Sequence, residues 1–276
     1  MARSARRDNP GMSAVDHWIP HADGRLFARE WPGAPVAGGA PLPPLVLLHD
    51  SLGSVELWRD FPALLARDAG RRVIAYDRAG FGRSDARVAW PSPDFIVEEA
   101  TTWFPIVRRH FGIDHFAVLG HSVGGGMAVN IAARHSDSCT ALVTIAAQAF
   151  VEERTLAGLR AARGSFAQGG AMERLERYHG DKAAWVLSAW LDTWLDPAFA
   201  HWSLARVLPG VRCPALALHG ELDEYGSSAH PAMIARLAGG PARMEMLAGL
   251  GHVPQRERPG EIGRRVATFL ATSAQP

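Results

Sequence analysis

A serine set among glycines is the residue whose surroundings point most directly to chemistry. Ser122 lies in the pentapeptide Gly120–Gly124, between an apolar run of strand length, Phe116–Leu119, and a small-residue segment with helical periodicity. A serine at a sharp strand-to-helix turn has a strained backbone, and the flanking glycines avoid the clash that bulk would cause. Ordinary glycine-rich turns share the Gly-x-Ser-x-Gly pattern. The interpretation as a nucleophile elbow therefore depends on the strand predicted before the turn and the helix predicted after it.

A serine hydroxyl is too weakly acidic to attack a substrate unaided at neutral pH. It needs an imidazole to take its proton, and the imidazole needs a carboxylate that fixes its tautomer and supports its cationic form. Asp223 and His252 each follow a predicted strand, in that order, downstream of Ser122. We therefore expect the three at one edge of the sheet as nucleophile, acid and base.

Other side chains near these positions are alternatives for the same roles. His219 is an alternative base, although it closes a strand and is expected to bond within its own loop. Glu221 is an alternative acid because it lies nearer to the strand than Asp223 does. Glu152 and Glu153 follow the strand after the elbow, and are more typical of a solvated helix start.

Backbone N–H groups are expected to stabilise the substrate oxygen that gains charge during attack. Such donors come from the residue directly after an elbow serine and from the loop after an earlier strand. In this chain those residues are Val123 and Ser51.

The surrounding elements alternate between strand and helix, which predicts an α/β protein with a doubly wound, mostly parallel sheet. The expected strands are Val15–Ile19 and Arg25–Trp31 in an opening hairpin, then Leu45–Leu48, Arg72–Asp77, Phe116–Leu119, Ala141–Ala147, Ala215–Leu218 and Arg243–Leu247. The expected helices are Trp58–Ala69, Phe95–Phe111 with a kink or division at Pro105, the elbow helix to His135, and Glu261–Leu270.

Residues 150–209 break this alternation, because they hold no strand-like run and become helical with a cluster of tryptophans. We interpret them as a helical cap inserted over the carboxyl edge of the sheet, where ligands bind in such folds. Residues 15–149 and 210–276 would then form the core, and residues 1–14 a disordered N-terminus. Most of the tryptophans are expected in the cap's own core, with Trp190 and Trp194 as candidates for the substrate-pocket wall.

Composition limits the class of partner. With 276 residues and 47% hydrophobic residues the chain can bury one substantial core, and its net charge of +1 favours neither nucleic acid nor an anionic membrane.

The two cysteines, Cys139 and Cys213, are expected as buried free thiols. No apolar run is long enough to span a bilayer and no signal-peptide pattern follows the first residues, so the expectation is a cytoplasmic protein, a monomer or a homodimer.

Five motifs follow one another along the chain: His49–Gly53, Asp77–Ser84, Gly120–Gly124, His219–Asp223 and Gly251–His252. In order and surroundings they resemble the α/β-hydrolase fold superfamily, from Val15 to the end of the chain, with the cap matched only in position. Carried over to this sequence, the resemblance implies Ser122 as nucleophile, Asp223 as acid and His252 as base. It implies no cofactor and no metal, and no metal-ligand spacing occurs among the histidines.

One departure from the family pattern concerns the oxyanion loop, which usually reads His-Gly where this chain has His49-Asp50. A carboxylate beside an oxyanion would oppose it, so we expect Asp50 to point outward and bond loop N–H groups. The alternative is that Asp50 touches the substrate or handles a proton.

Three further polar groups are open to two interpretations. His121 is expected mainly as a packing residue, with substrate contact as the alternative. Asp77 and Arg78 are expected as a loop-stabilising pair, with a substrate role as the alternative. In the cap, His179–Lys182 is typical of a polar helix start as much as of a substrate grip.

The sequence thus predicts a serine hydrolase that cleaves a small to medium carboxylic ester, lactone or thioester through an acyl-serine. A serine nucleophile argues against the epoxide hydrolases and haloalkane dehalogenases of the same architecture, which need a carboxylate. Two alternatives remain: a serine-dependent carbon–carbon hydrolase or cofactor-free lyase, which needs cationic or polar groups in the cap, and a non-catalytic binding protein on a hydrolase scaffold.

Overall fold

The computed structural model describes residues 13–33, 41–87, 89–168 and 170–273. The prediction of a disordered N-terminus concerns residues 1–14, of which 1–12 lie outside the described residues.

The described residues form one eight-stranded sheet in the order β1-β2-β4-β3-β5-β6-β7-β8. Its strands are β1 Val15–His21, β2 Gly24–Trp31, β3 Leu45–Leu48, β4 Val73–Tyr76, β5 Phe116–His121, β6 Cys139–Ile145, β7 Ala215–Gly220 and β8 Ala242–Leu247. β1 and β2 form the predicted antiparallel hairpin, and β2 pairs antiparallel with β4. From β4 to β8 every pairing is parallel, as the alternation of strands and helices predicted.

The direction in which strands are added reverses at β3, because β4 lies on one side of it and β5 on the other. Ligands bind outside the carboxyl ends of the strands at such a reversal. β3 and β5 are buried along their whole lengths. The loop after β3 and the elbow after β5 therefore emerge side by side at this edge.

Helices cover both faces of the sheet and give two hydrophobic cores. The helices are α1 Phe61–Ala69, α2 Phe95–Glu98, α3 Phe104–His110, α4 Val123–Arg134, α5 Glu153–Ala167, α6 Ala171–His179, α7 Ala183–Leu195, α8 Ala229–Leu237, α9 Pro254–Glu257 and α10 Pro259–Thr272. Apolar residues of α1 and α10 pack in one core, and those of α3, α4 and α8 in the other. Among the helices of the described residues, none has the length and apolar character needed to cross a membrane.

Several predicted boundaries were wrong by a few residues. The helix predicted from Trp58 begins at Phe61, because Val55–Trp58 forms a separate 3-10 turn. The predicted division near Pro105 is present as a π-helical turn over Glu99–Trp103, with Pro105 in the first turn of α3. A proline fits there because the first N–H groups of a helix have no intrahelical acceptor.

Residues 150–209, called the cap below, contribute α5, α6, α7 and short 3-10 turns in their described part. The polar segment predicted as a helix start or a substrate grip connects the cap to the core. His179 Nδ1 accepts from the Gly82 N–H at 2.8 Å, and Nε2 donates to the Leu52 carbonyl at 3.0 Å. Lys182 Nζ donates to the carbonyls of Gly82, at 2.8 Å, and Ser84.

The two cysteines are buried free thiols, as predicted. Their sulfur atoms lie 3.6 Å apart, on β6 and directly before β7.

Candidate active site

Ser122 lies at a strained turn between β5, which ends at His121, and α4, which begins at Val123. Its φ of 55° and ψ of −125° are values that residues other than glycine rarely adopt. A Cβ added to Gly120 would overlap the Gly124 carbonyl, and one added to Gly124 would overlap the Leu48 carbonyl. The two glycines therefore let the turn close against β3, as the elbow pattern predicted.

The structure brings Ser122, His252 and Asp223 together in one chain of hydrogen bonds. The Ser122 hydroxyl lies 3.0 Å from His252 Nε2, and His252 Nδ1 lies 2.9 Å from both carboxylate oxygens of Asp223. All three residues are buried. Asp223 follows β7 and His252 follows β8, so adjacent parallel strands supply them to the edge where Ser122 lies.

Asp223 is held ionised by a dense set of donors. Its Oδ1 accepts from the N–H groups of Tyr225 at 2.7 Å and Gly226 at 3.1 Å, and its Oδ2 lies 3.2 Å from His219 Nε2. Burial alone would raise the pKa of Asp223, but the His252 hydrogen bond and the neighbouring imidazoles outweigh burial and lower that pKa. A carboxylate in this state can orient His252 and stabilise its cation.

Among the described residues, neither the alternative acids nor the alternative base forms a hydrogen bond with Ser122 or His252. Glu221 is exposed, and its carboxylate accepts from the Gly249 N–H at 3.2 Å. The interpretation of Glu152 as a solvated helix start was wrong, because its carboxylate is bonded to His230 Nε2 at 2.9 Å and to the Ser227 N–H at 2.7 Å. His219 bonds within its loop, as expected, through the Gly226 carbonyl at 3.1 Å.

Glu153 has no part in the site. Its exposed carboxylate pairs with Arg160 at 2.6 Å on the surface of α5. The interpretation of Glu153 as a solvated residue at a helix start is thus correct.

Ser51 and Val123 supply backbone N–H groups beside Ser122. Val123 is the first residue of α4, and a first-turn N–H has no acceptor within its own helix. In the described part of the chain neither N–H donates to a protein acceptor. Both groups are therefore available to a substrate oxygen, and the positive end of α4 adds to their effect.

A cavity of about 240 Å³ opens over the serine. Its wall is formed by core and cap residues together: Asp50, Ser51, Leu52, Ser122, Gln148, Thr155, Leu159, Trp190, Trp194, Glu224, Tyr225, His252 and Val253. The structure thus places both tryptophans singled out from the sequence, Trp190 and Trp194, at the cavity wall.

The expectation that Asp50 points outward was wrong. Asp50 lines the cavity with its side chain 23% exposed, and within the described ranges its carboxylate accepts no hydrogen bond from a loop N–H. The nearest cation-forming group is His121, whose Nδ1 lies 3.9 Å away. Burial lowers the pKa of His121 to about 4, so this ring is neutral at pH 7 and forms no charged pair with Asp50.

His121 does not reach the cavity, so its tentative assignment to substrate binding was wrong. Its buried ring lies beneath the site, with Nε2 donating to the His252 carbonyl at 2.8 Å. His121 therefore supports the backbone of the loop that carries His252.

Gln148 was missed by the sequence reasoning. It follows β6 and is buried in the cavity wall, where its Oε1 lies 3.2 Å from the Ser122 hydroxyl. The Ser122 hydroxyl has one proton, which it can donate to either Gln148 Oε1 or His252 Nε2 at a time. In the resting site the amide therefore competes with the base for this proton. The only signal in the sequence is its place at the carboxyl end of a predicted strand.

The described ranges contain no group of three or more His, Cys, Asp or Glu side chains arranged to hold a metal ion.

Comparison with known proteins gives several partial relatives. The chain is 35% identical over 104 residues to a human (lyso)-N-acylphosphatidylethanolamine lipase, a match that covers 37% of this chain and 29% of the relative. It is 40% identical over 96 residues to a proline iminopeptidase of Clostridium botulinum, covering 33% of this chain and 30% of that protein. The matched region thus spans less than a third of either relative.

Solved structures match over nearly the whole chain. The proline iminopeptidase of Mycobacterium smegmatis superposes with a TM-score of 0.69 at 23% identity, covering 94% of this chain and 98% of that one. The enol-lactonase of Burkholderia xenovorans LB400 gives 0.69 at 22% identity, covering 92% and 100%. These likenesses show the fold. The family model described as alpha/beta hydrolase fold matches residues 43–198, more than half of the sequence. The chain therefore belongs to the α/β hydrolase fold family.

Proposed function

We propose that the protein is a serine hydrolase that cleaves a small to medium carboxylic ester, lactone or thioester through an acyl-serine intermediate. The observation that carries the proposal is the chain of hydrogen bonds from Ser122 through His252 to Asp223, beside the free N–H groups of Ser51 and Val123. A nucleophile, a base with its orienting carboxylate, and oxyanion donors are the parts that acyl transfer requires.

In the first half of the cycle, Ser122 Oγ attacks the substrate carbonyl carbon while its proton passes to His252 Nε2. The carbonyl oxygen becomes an oxyanion and accepts from the N–H groups of Ser51 and Val123. When the carbonyl re-forms, the bond to the leaving oxygen or sulfur breaks and His252 returns the proton to it. The product of this half is an ester between the acyl group and Ser122.

In the second half, water attacks the acyl-serine. His252 takes a proton from the water, the same two N–H groups hold the second oxyanion, and the proton then returns to Ser122 Oγ as the acid leaves. Asp223 stays ionised throughout and supports the His252 cation that forms in each half.

The cap side of the cavity favours an ester or lactone over a substrate that cationic groups of the cap would have to bind. The cap side is formed by Thr155, Leu159, Trp190 and Trp194, so within the described residues it offers no cationic group to grip a dicarbonyl or an enolate. The relatives named as a lipase and an enol-lactonase support oxygen esters, whereas those named as proline iminopeptidases make an N-terminal prolyl amide the alternative substrate.

The test is a panel of chromogenic substrates: p-nitrophenyl esters of graded acyl length, an aryl lactone, a thioester and proline p-nitroanilide. We expect turnover of at least one ester or lactone with a kcat/KM above that of the anilide. The Ser122→Ala variant serves as control for background hydrolysis. Faster cleavage of the anilide would assign the protein to peptide chemistry, and turnover no higher than that of the control on every substrate would contradict the proposal.

A further inference from the structure

A second, smaller cavity adjoins the one over Ser122. Ser51, Trp190 and Trp194 line both cavities, and Val123 borders the smaller one. Its free volume of about 30 Å³ has room for two groups of the size of a water molecule. Ser51 and Val123, whose N–H groups would hold the substrate carbonyl oxygen, thus both border this side cavity.

The wall of the side cavity contains a buried arginine without a carboxylate partner. Arg78 is only 6% exposed, and its guanidinium carbon lies 3.9 Å from the centre of the Phe81 ring. Nη2 donates to the Asp50 carbonyl at 2.9 Å, but Nε is buried and meets no acceptor in the part of the chain that the structure describes. No ion pair among the described residues includes Arg78.

The pairing of Arg78 with Asp77 expected from the sequence is not formed. The Asp77 carboxylate instead accepts from the Val55 N–H at 2.6 Å and the Arg83 N–H at 2.7 Å. Asp77 thus stabilises the loop by itself, and Arg78 is left for another partner.

Two carboxylates, Glu99 and Asp50, lie near enough to oppose the effect of burial on the pKa of Arg78, but among the described residues neither forms an ion pair with it. Burial lowers the pKa of Arg78 to about 10, which leaves it cationic at pH 7. Glu99 is the carboxylate that lines the same cavity, but burial raises its pKa and its Oε1 is already taken by the Tyr76 hydroxyl at 2.5 Å. Arg87, the other arginine of the wall, pairs with Glu98 at 3.2 Å.

We propose that Arg78 is a specificity-determining residue that binds a carboxylate carried on the acyl part of the substrate. This inference rests on the proposed function. A buried guanidinium with an unused donor matches the two oxygens of a carboxylate, and the cavity has room for those two oxygens. The larger cavity carries the carboxylates of Asp50 and Glu224, which would repel an anionic group and direct it to the side cavity.

The substrate class is therefore the half-ester, or the matching lactone, of a short dicarboxylic acid. We place the substrate carboxylate on the acyl part rather than on the leaving group, because Ser51 and Val123 both line the side cavity. These two residues would hold the oxygen of the scissile carbonyl.

The test compares p-nitrophenyl half-esters of succinic, glutaric and adipic acid with the same esters capped by a methyl group. The methyl group removes the negative charge of the free carboxylate and leaves the length of the acyl chain unchanged. We expect wild-type kcat/KM to favour the free acid over its capped partner at one of these lengths. In Arg78→Met this ratio should fall about 10- to 100-fold, the range of a charge-assisted hydrogen bond. Arg78→Lys, which keeps the charge without the planar fork, should lie between them.

Arg83→Met is the matched control, because Arg83 belongs to the same loop but pairs with Asp16 at 2.8 Å, away from both cavities. It should leave the ratio unchanged. A fall of equal size for free and capped esters in Arg78→Met would assign Arg78 a purely structural role, and a wild-type ratio below one at all three lengths would overturn the proposal without any variant.

Binding of glutarate to the Ser122→Ala protein, measured by calorimetry, separates the two levels of inference. Suppose that Ser122→Ala binds glutarate, that Ser122→Ala/Arg78→Met does not, and that the wild-type protein turns over no ester. This result would refute the proposed hydrolysis but keep the anion site. Ester turnover without glutarate binding would refute the anion site alone.

Discussion

The two ring nitrogens of His252 face different partners. Nδ1 lies 2.9 Å from Asp223, and Nε2 lies 3.0 Å from the Ser122 hydroxyl. A carboxylate at Nδ1 keeps the proton on that nitrogen, and Nε2 is then free to accept the serine proton. The tautomer of the His252 ring therefore depends on the Asp223 carboxylate.

Replacing that carboxylate by an amide tests the dependence. Asp223→Asn can donate to Nδ1 and stabilise the wrong tautomer, so kcat on the best ester should fall by about a thousandfold or more. Glu221→Gln is the matched control, since Glu221 is exposed and bonds only Gly249 in the described structure; it should change kcat by less than about threefold. The reverse ranking in steady-state kinetics would assign the acid to Glu221.

Asp50 allows a prediction of the opposite sign. Asp50 and Ser51 both line the cavity, so the Asp50 carboxylate would oppose an oxyanion held by the Ser51 N–H. Asp50→Asn removes the charge and nearly preserves the shape, so kcat for an uncharged ester should rise, by about threefold to tenfold. Glu224→Gln, which removes a more exposed carboxylate from the same cavity, should have a smaller effect. A tenfold loss in Asp50→Asn would instead indicate that Asp50 contacts the substrate or moves a proton.

Among single residues, the sequence indicated Ser122, Asp223 and His252, because the chemistry of each of these groups requires the other two. A nucleophilic serine demands a base and an acid, and the strand pattern left few places for them. The direction of Asp50 and the role of Gln148 were not predictable, because each depends on which neighbours fill the space around the side chain. Nothing in a linear pattern indicates that two N–H groups already occupy the Asp77 carboxylate and that Arg78 has no carboxylate partner among the described residues.

At the scale of elements, the strands were predictable because buried parallel strands give short continuous apolar runs. The ends of the helices were less so. The 3-10 turn before α1 and the π-helical turn before α3 depend on how the chain packs on the sheet, which periodicity does not encode. The helical character of residues 150–209 was predictable from their composition, whereas the bonds of His179 and Lys182 to the loop at Gly82 depend on the fold.

Trp190 and Trp194, the tryptophans of α7 that line the cavity over Ser122, allow a prediction about the cap. Trp190 is partly exposed in the cavity wall, so Trp190→Ala should move the preferred acyl length upward. It should cost about 1–3 kcal/mol of transition-state binding for short esters and less for long ones. The measurement is kcat/KM across the graded esters, and an unchanged profile would show that Trp190 does not limit the substrate.

Trp194 is the matched comparison on the same helix. It is 3% exposed and packs edge-on against Phe199 and Trp202. Trp194→Ala should therefore also lower the free energy of unfolding by about 3 kcal/mol or more, whereas Trp190→Ala should lower it less. Equal losses of stability would mean that both residues belong to the core of the cap.

At the scale of the whole molecule, buried histidines should make stability depend on pH. Burial is the main cause that lowers the pKa of His121 and His179 to about 4, and it lowers the pKa of His49 well below the ordinary value. Between pH 6.5 and 4 the unfolded chain therefore binds more protons at these rings than the folded protein does. Their contribution to stability is complete above pH 6.5 and is lost as the pH falls toward 4.

Buried carboxyls whose pKa is raised act in the opposite direction, and Glu99 is one of them. Burial raises the pKa of Asp77 to about 6, so the folded state gains stability there as the pH falls through 6. His121 and His179 outweigh Asp77, because a pKa of about 4 makes each of these two rings lose about 2 kcal/mol between pH 7 and 5. The lowered pKa of His49 acts in the same direction. The melting temperature should fall by roughly 5 to 10 °C over that interval. Thermal denaturation followed by circular dichroism measures it, and a melting temperature higher at pH 5 than at pH 7 would contradict the prediction.

The central claim is that Ser122 is the nucleophile that forms the covalent intermediate, and active-site labelling tests it most directly. Wild-type protein treated with a fluorophosphonate should gain the mass of one adduct, and peptide mapping should locate the adduct on Ser122. The Ser122→Ala variant, with its fold verified by circular dichroism, should gain none. An unlabelled wild-type protein, or a variant labelled at the wild-type rate, would contradict the account.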